Sequence, residues 1–351
     1  MRFAPLKRLG VVLGVMAVAL AAATAASAVA GGFVVTPLVS DNGVPGTTTD
    51  PNLVNAWGLV SGPTTPWWVN DNGPGLATLY TGAGAIVPLV VNVGDAPTGI
   101  VFNATDGFTL SNGHPARFIF DSEAGVISGW NGGTASETIA DLSHHGAVFK
   151  GLAIADTHGG PRLFATDFAN GEVDVFNAHG HLLHLPFAFR DFSLPHHFAP
   201  FGIQTIGSLV YVTYAMQQAG SNDEAHGLGL GFVDAYDANT GILVARIASA
   251  GDLNAPWGIA LAPHDFGAAA GDILVGNFGD GLIHAFRPAG HGAVPDGSLN
   301  TPSGHPIVID GLWALQFGNG NAAGPTDSLF FTAGPNDEND GLFGFIRAAG
   351  P

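Results

Sequence analysis

One phrase recurs along the chain and limits what it can become. "LVNAWGLVSGP" (53–63) returns as "LNAPWGIALAP" (253–263), and four worn copies lie between or beyond them: "APTGIVF" (96–102), "VFKGLAIA" (148–155), "APFGIQTI" (199–206) and "DGLWALQF" (310–317). The shared position is Gly58, Gly99, Gly151, Gly202, Gly258 and, in the last copy, Ala314, at intervals of 41 to 56 residues. An aliphatic residue always follows. Each copy continues with a second apolar run, such as "PWWVND" (66–71) or "DILVGN" (272–277). A turn then leads to a Gly with an aromatic residue five positions on: Gly75/Tyr80, Gly125/Trp130, Gly171/Phe176, Gly231/Tyr236 and Gly281/Phe286, shortened by one in Gly341/Phe345.

A repeat of this period, built of short strands and Gly-rich turns, predicts an all-β, six-bladed β-propeller with three strands per unit and usually a fourth at the edge, as in "IVPLVVNV" (86–93). Gly is abundant (52 residues), and helix-favouring Lys and Glu are scarce. The last unit lacks an outer strand, while "FVVTPLVS" (33–40) resembles one. The N-terminal strand is therefore expected to close the sixth blade, leaving no open edge there. The rival is two stacked β domains, for which no dividing linker is visible in 31–351.

Residues 1–30 stand apart. Arg2, Lys7 and Arg8 precede the apolar run "LGVVLGVMAVALAAA" (9–23) and small-residue motifs at 26–30. This is the pattern of a cleaved secretory signal peptide, with an uncleaved anchor as the alternative. Cleavage would make the protein exported, periplasmic or extracellular, with no membrane association in its mature form. Removing the three basic residues leaves seven against 28 acidic ones, so nucleic acid and anionic lipid are poor partners. The absence of Cys excludes disulfides, thiol catalysis and thiolate metal sites.

In a propeller the residue before each key glycine sits near one mouth of the central channel. This gives a candidate ligand ring of Trp57, Thr98, Lys150, Phe201, Trp257 and Trp313. Three Trp form one arc facing Lys150, the one lysine beyond residue 30. Such an arc can stack a flat or sugar-like ligand while the ammonium pairs an anionic group. The alternative is that the aromatics are packing wedges and Lys150 is tied to a neighbouring carboxylate. Asp71, Asp167 and Asp280 are weak candidates for a divalent-cation site such as calcium, the blander role being turn hydrogen bonds. "GPNDENDG" (334–341) has some calcium-loop character but lacks the closing Glu. His144-His145 and His196-His197 precede neighbouring inner strands and are possible transition-metal ligands or solvated loop residues. No nucleophile elbow or phosphate-cradling loop is present.

"TDPNLVNAWGL" (49–59), "FIFDSEAGVISGW" (118–130), "ILVGNFGDG" (273–281) and "IDGLWALQFGNG" (309–320), with the phrases above, resemble an uncharacterised family of exported bacterial β-propellers with NHL-like repeats. Some members carry a PEP-CTERM sorting tail, which the terminal "GFIRAAGP" does not match. The resemblance implies fold and export but no reaction. The sequence leaves three functions open. One is a scaffold binding a small molecule, glycan or protein at the channel mouth. The second is a metal-assisted hydrolase or lyase acting on a sugar, lactone or phosphate-bearing compound. The third is a structural or matrix protein.

Overall fold

A computed structural model describes residues 31–350. The signal peptide expected at residues 1–30 lies outside the described residues. Six antiparallel sheets are arranged around an axis, and no α-helix occurs among the described residues. The innermost strands are Ala56–Val60, Pro97–Phe102, Phe149–Thr157, Phe198–Ile206, Pro256–Leu261 and Leu312–Phe317. Each contacts the next, and the sixth contacts the first, so the ring is closed. The six copies of the recurring phrase are these six strands.

The physical reason for the phrase is visible in the strand register. Pairing with the second strand breaks at the same place in every blade, between Ala56 and Leu59, Pro97 and Ile100, Phe149 and Leu152, Pro200 and Ile203, Pro256 and Gly258, and Leu312 and Leu315. A bulge there turns a side chain along the axis. The glycine lets adjacent bulges approach. A Cβ on Gly58, Gly99, Gly202 or Gly258 would lie under 3.0 Å from backbone of the following inner strand, and one on Gly151 would lie 3.1 Å from Phe201 O. The aliphatic residues that follow (Leu59, Ile100, Leu152, Ile203, Ile259 and Leu315) meet around an axial void of about 30 Å³ and block the channel at mid-height.

Polar side chains on the second strands hold the bulges, those of blades one, three and six by reaching the next blade and that of blade two by bonding its own bulge. Asn70 Nδ2 donates to Thr98 O and Gly99 O at 3.1 and 2.9 Å. Asp121 Oδ1 accepts from Gly99 N and the Thr98 hydroxyl. Thr166 Oγ1 donates to Phe201 O, and Thr332 Oγ1 donates to Trp57 O. These bonds satisfy backbone groups that the bulges remove from the sheet ladder.

The sixth blade closes as expected. Phe33–Ser40 pairs antiparallel with Leu342–Ala348, from Phe33 opposite Ala348 to Ser40 opposite Leu342. The third blade departs from the pattern. It has three strands, ending with Glu172–Phe176, and residues 177–197 form an irregular excursion instead of an edge strand. Leu183 N donates to Val175 O, after which Phe189 turns inward against Phe164 and Tyr236. Pro186, Pro195 and this buried aromatic compete with a fourth strand. Hydrophobic clusters fill the spaces between neighbouring blades, and the largest set of aromatics lies on the axis.

Candidate functional site

The six ring residues share one level of the channel, and all are buried. Trp57 and Trp313 stack with centroids 3.6 Å apart at 16°, and Phe278 stacks on Trp313 at 3.9 Å and 20°. Trp313 is thus sandwiched. Trp257 meets Trp57 and Trp313 edge-on at 6.4 and 5.8 Å, and Phe201 lies 5.9 Å from Trp313. Thr98, Phe201 and Trp257 are packed into the layer. Trp57, Lys150 and Trp313 border a cleft of about 280 Å³ above it.

Lys150 is tied to a carboxylate. Its Nζ lies 2.5 Å from Glu123 Oε1 and 5.2 Å from the Trp57 centroid, with 2% of the side chain exposed. Burial opposes the ammonium, but Glu123, helped by Glu224 and Asp223, outweighs it and raises its pKa. This is the carboxylate pairing weighed above as the alternative, and an anionic ligand at Lys150 would have to compete with Glu123. The cleft carries Glu123, Asp223, Glu224, Asp337 and Glu338 against Lys150 and His226, so its balance is acidic.

Three loops deliver these groups. Glu123 follows the second strand of blade two, in the "DSEAG" turn. Glu224 sits on a two-residue strand, Glu224–Ala225, which pairs with Met216 and Gln217 in a blade-four insertion. Glu338 comes from "GPNDENDG", where Asn336, Asp337 and Glu338 all have left-handed backbone, with φ of 59°, 52° and 63°. Asn55 is left-handed too, at φ 47°. Three of these four, Asn55, Asp337 and Glu338, line the cleft, and costly strain of this kind collects where a site is held in a fixed shape.

A hydrogen-bond chain links the walls. Trp313 Nε1 donates to Asn55 Oδ1 at 3.0 Å. Asn55 Nδ2 donates to Glu338 Oε1 at 3.0 Å and to Asn72 Oδ1 at 3.3 Å, and Asn72 Nδ2 donates to Glu123 Oε2 at 3.2 Å. Burial pushes the Glu338 carboxyl up, reinforced by Glu224 and Glu123 and opposed by Asn55 and Lys150. The hydrogen bond to Glu224 raises His226 despite partial burial. Sequence reasoning missed Asn55, Glu224, His226, Phe278 and Glu338 as cleft residues. The left-handed demands of "GPNDENDG" were the one local signal.

The cation candidates remain apart. Asp167 accepts from Val148 N, Asn170 N and Asn170 Nδ2, and Asp280 accepts from Asn254, Asn277 and Leu282 N. Both have the hydrogen-bonding role weighed above. Asp71 is fully buried in blade one, and desolvation pushes its carboxyl well up. His144, His145, His196 and His197 are exposed. No group of three or more His, Asp or Glu able to hold a metal occurs among the described residues.

Fold and cleft together define a six-bladed β-propeller with an aromatic plug and an acidic mouth. The chain belongs to the family of two proteins of Acanthamoeba polyphaga mimivirus, uncharacterised proteins R648 and L690. It is 33% identical to the first over 322 residues (85% of this chain, 76% of the relative) and 31% identical to the second over 338 residues (88% and 84%). These giant-virus relatives correct the bacterial assignment: a glycine-centred blade phrase reports propeller packing and does not identify a bacterial lineage. No protein-family model matches the chain. Among solved structures it is similar to the soluble aldose sugar dehydrogenase of Escherichia coli (TM-score 0.54, 13% identity, 90% of this chain and all of that one). It is also similar to a luciferin-regenerating enzyme (0.53, 15%, 91% and 96%). At these identities the likeness is one of fold.

Proposed function

We propose that this chain is an exported propeller that binds a small ligand at the channel mouth, and that the ligand presents an ammonium group or clustered hydroxyls. The observation that carries this reading is the convergence of Glu123, Glu224 and Glu338, from three different blades, over the Trp57–Trp313 stack in a 280 Å³ cleft. Carboxylates accept from hydroxyl and ammonium donors, and the buried Trp57–Trp313 layer closes the floor of the cleft beneath them. The strained backbone at Asn55, Asp337 and Glu338 supports a preformed site. Export rests on the charged and apolar pattern of residues 1–30.

Calorimetric titration with spermidine, choline and glucose tests the binding. At least one should bind saturably, and E224Q and E338Q should each weaken that binding roughly tenfold, about 1.4 kcal/mol. Failure of all three probes at millimolar concentration would overturn the proposed ligand class.

A further inference from the structure

A cleft larger than the channel mouth lies between the outer rims of blades four and five, away from the channel. One wall is the outer strand Leu243–Ser249 with the turn that follows it. The other is the hairpin formed by Ile283–Ala289 and Gly292–Ser298. The two outer strands touch near the hairpin tip, where the Cβ position of Gly292 lies 3.1 Å from Arg246 O. A space of about 620 Å³ remains, more than twice that of the channel mouth.

Ile247, Ala248, Phe286, Ala293 and Pro295 form the apolar part of the lining, beside the polar Arg246, Ser249 and Asp252. His284 interrupts it. Its side chain is 3% exposed, and the buried Nε2 has no hydrogen-bond partner among the described residues. Burial holds the imidazole below its ordinary pKa, with Asp252 and Asp280 opposing, so it is neutral near pH 7. A buried polar atom without a partner is destabilising and uncommon in native structures. His284 lines the cleft, so a ligand group that displaces the atoms covering Nε2 would supply what the fold does not.

The surrounding charges narrow the ligand. Arg246 is engaged by Asp191 and Asp234 and lies over the Phe232 ring, so it offers little to an anion. Asp252 borders the same space and favours a hydrogen-bond donor. We propose that this cleft is a second binding site, for an uncharged ring-bearing alcohol whose hydroxyl bonds His284 while its apolar body covers Phe286 and Ala248. The site is independent of the channel mouth.

Fluorescence titration with 2-naphthol tests the proposal, with naphthalene as the matched probe lacking the hydroxyl. The expected result is saturable binding at one site, at least tenfold tighter for 2-naphthol. H284F should remove that preference. A293W, a substitution on the half-exposed wall, should abolish binding of both probes and leave the channel-mouth titration unchanged. No saturable binding of 2-naphthol to the unmodified chain, equal binding of naphthalene, or 2-naphthol binding untouched by A293W would each overturn it.

Discussion

Trp57 of blade one and Trp313 of blade six stack face to face at 3.6 Å, so the two ends of the ring meet through their largest side chains. Both are buried, and each packs against further aromatics of the axial layer. Trp313→Ala should therefore leave a cavity that the closed ring cannot collapse into, at a cost of about 3–5 kcal/mol. Urea denaturation checks this, and a loss below about 1 kcal/mol would show that the stack does not secure closure.

Lys150 and Glu123 form a pair with one member almost wholly buried. Lys150→Met removes the cation and leaves Glu123 beside Glu224 and Glu338, so stability should fall by about 1–3 kcal/mol, allowing for the partial exposure of Glu123. Adding Glu123→Gln should recover most of that loss. A double variant no more stable than the single one would mean that Lys150 acts through packing alone.

Asp121 gives a pH signature. Burial pushes its carboxyl from 3.8 to about 7, against hydrogen bonds from Thr98 and Gly99, and its Oδ2 has no partner among the described residues. The folded chain holds a proton that the unfolded chain releases near pH 4. This contribution to stability is complete below pH 4, falls as pH rises towards about 7, and is flat above. Asp121→Asn should remove that slope and stabilise the protein at pH 8 by about 1–3 kcal/mol. Asn70 holds the corresponding place in blade one, so an amide suits the position. Parallel stability curves for variant and parent from pH 4 to 8 would refute the assignment.

Gly202 faces the backbone of the next blade at Trp257 O. Gly202→Ala should cost more than about 2 kcal/mol, because backbone on both sides must shift to admit the methyl group. Thermal melting of this variant beside Gly207→Ala provides a control: Gly207 has open space around it and a left-handed φ of 63°. If the loss at 202 does not exceed the conformational cost at 207, the close-approach account of the phrase fails.

The bulge is written into each copy of the phrase, with its glycine in five of the six, so blade count, inner strands and closure by Phe33–Ser40 were legible. The ring of Trp57, Thr98, Lys150, Phe201, Trp257 and Trp313 was legible as a level in the channel because it occupies one position of the repeat. Its filling was not. Whether three indoles leave a pocket or stack into a plug depends on their rotamers and on Phe278, which lies in a different part of the repeat. The acidic mouth was hidden for another reason. Glu123, Glu224 and Glu338 occupy an ordinary turn, an insertion and a strained loop, with no shared spacing, and only ring closure brings them together. Blade three lacks an edge strand because Phe189, within residues 177–197, supplies the packing such a strand would otherwise provide.

The pairing that closes the sixth blade also determines how the molecule yields to mechanical load. Phe33 lies opposite Ala348, so the two ends of the closing pair emerge side by side. A pull applied to both ends peels this pair one rung at a time and does not shear all its rungs together. The ring should therefore open at low force, starting at Phe33 and Ala348, while the five other sheets are still intact.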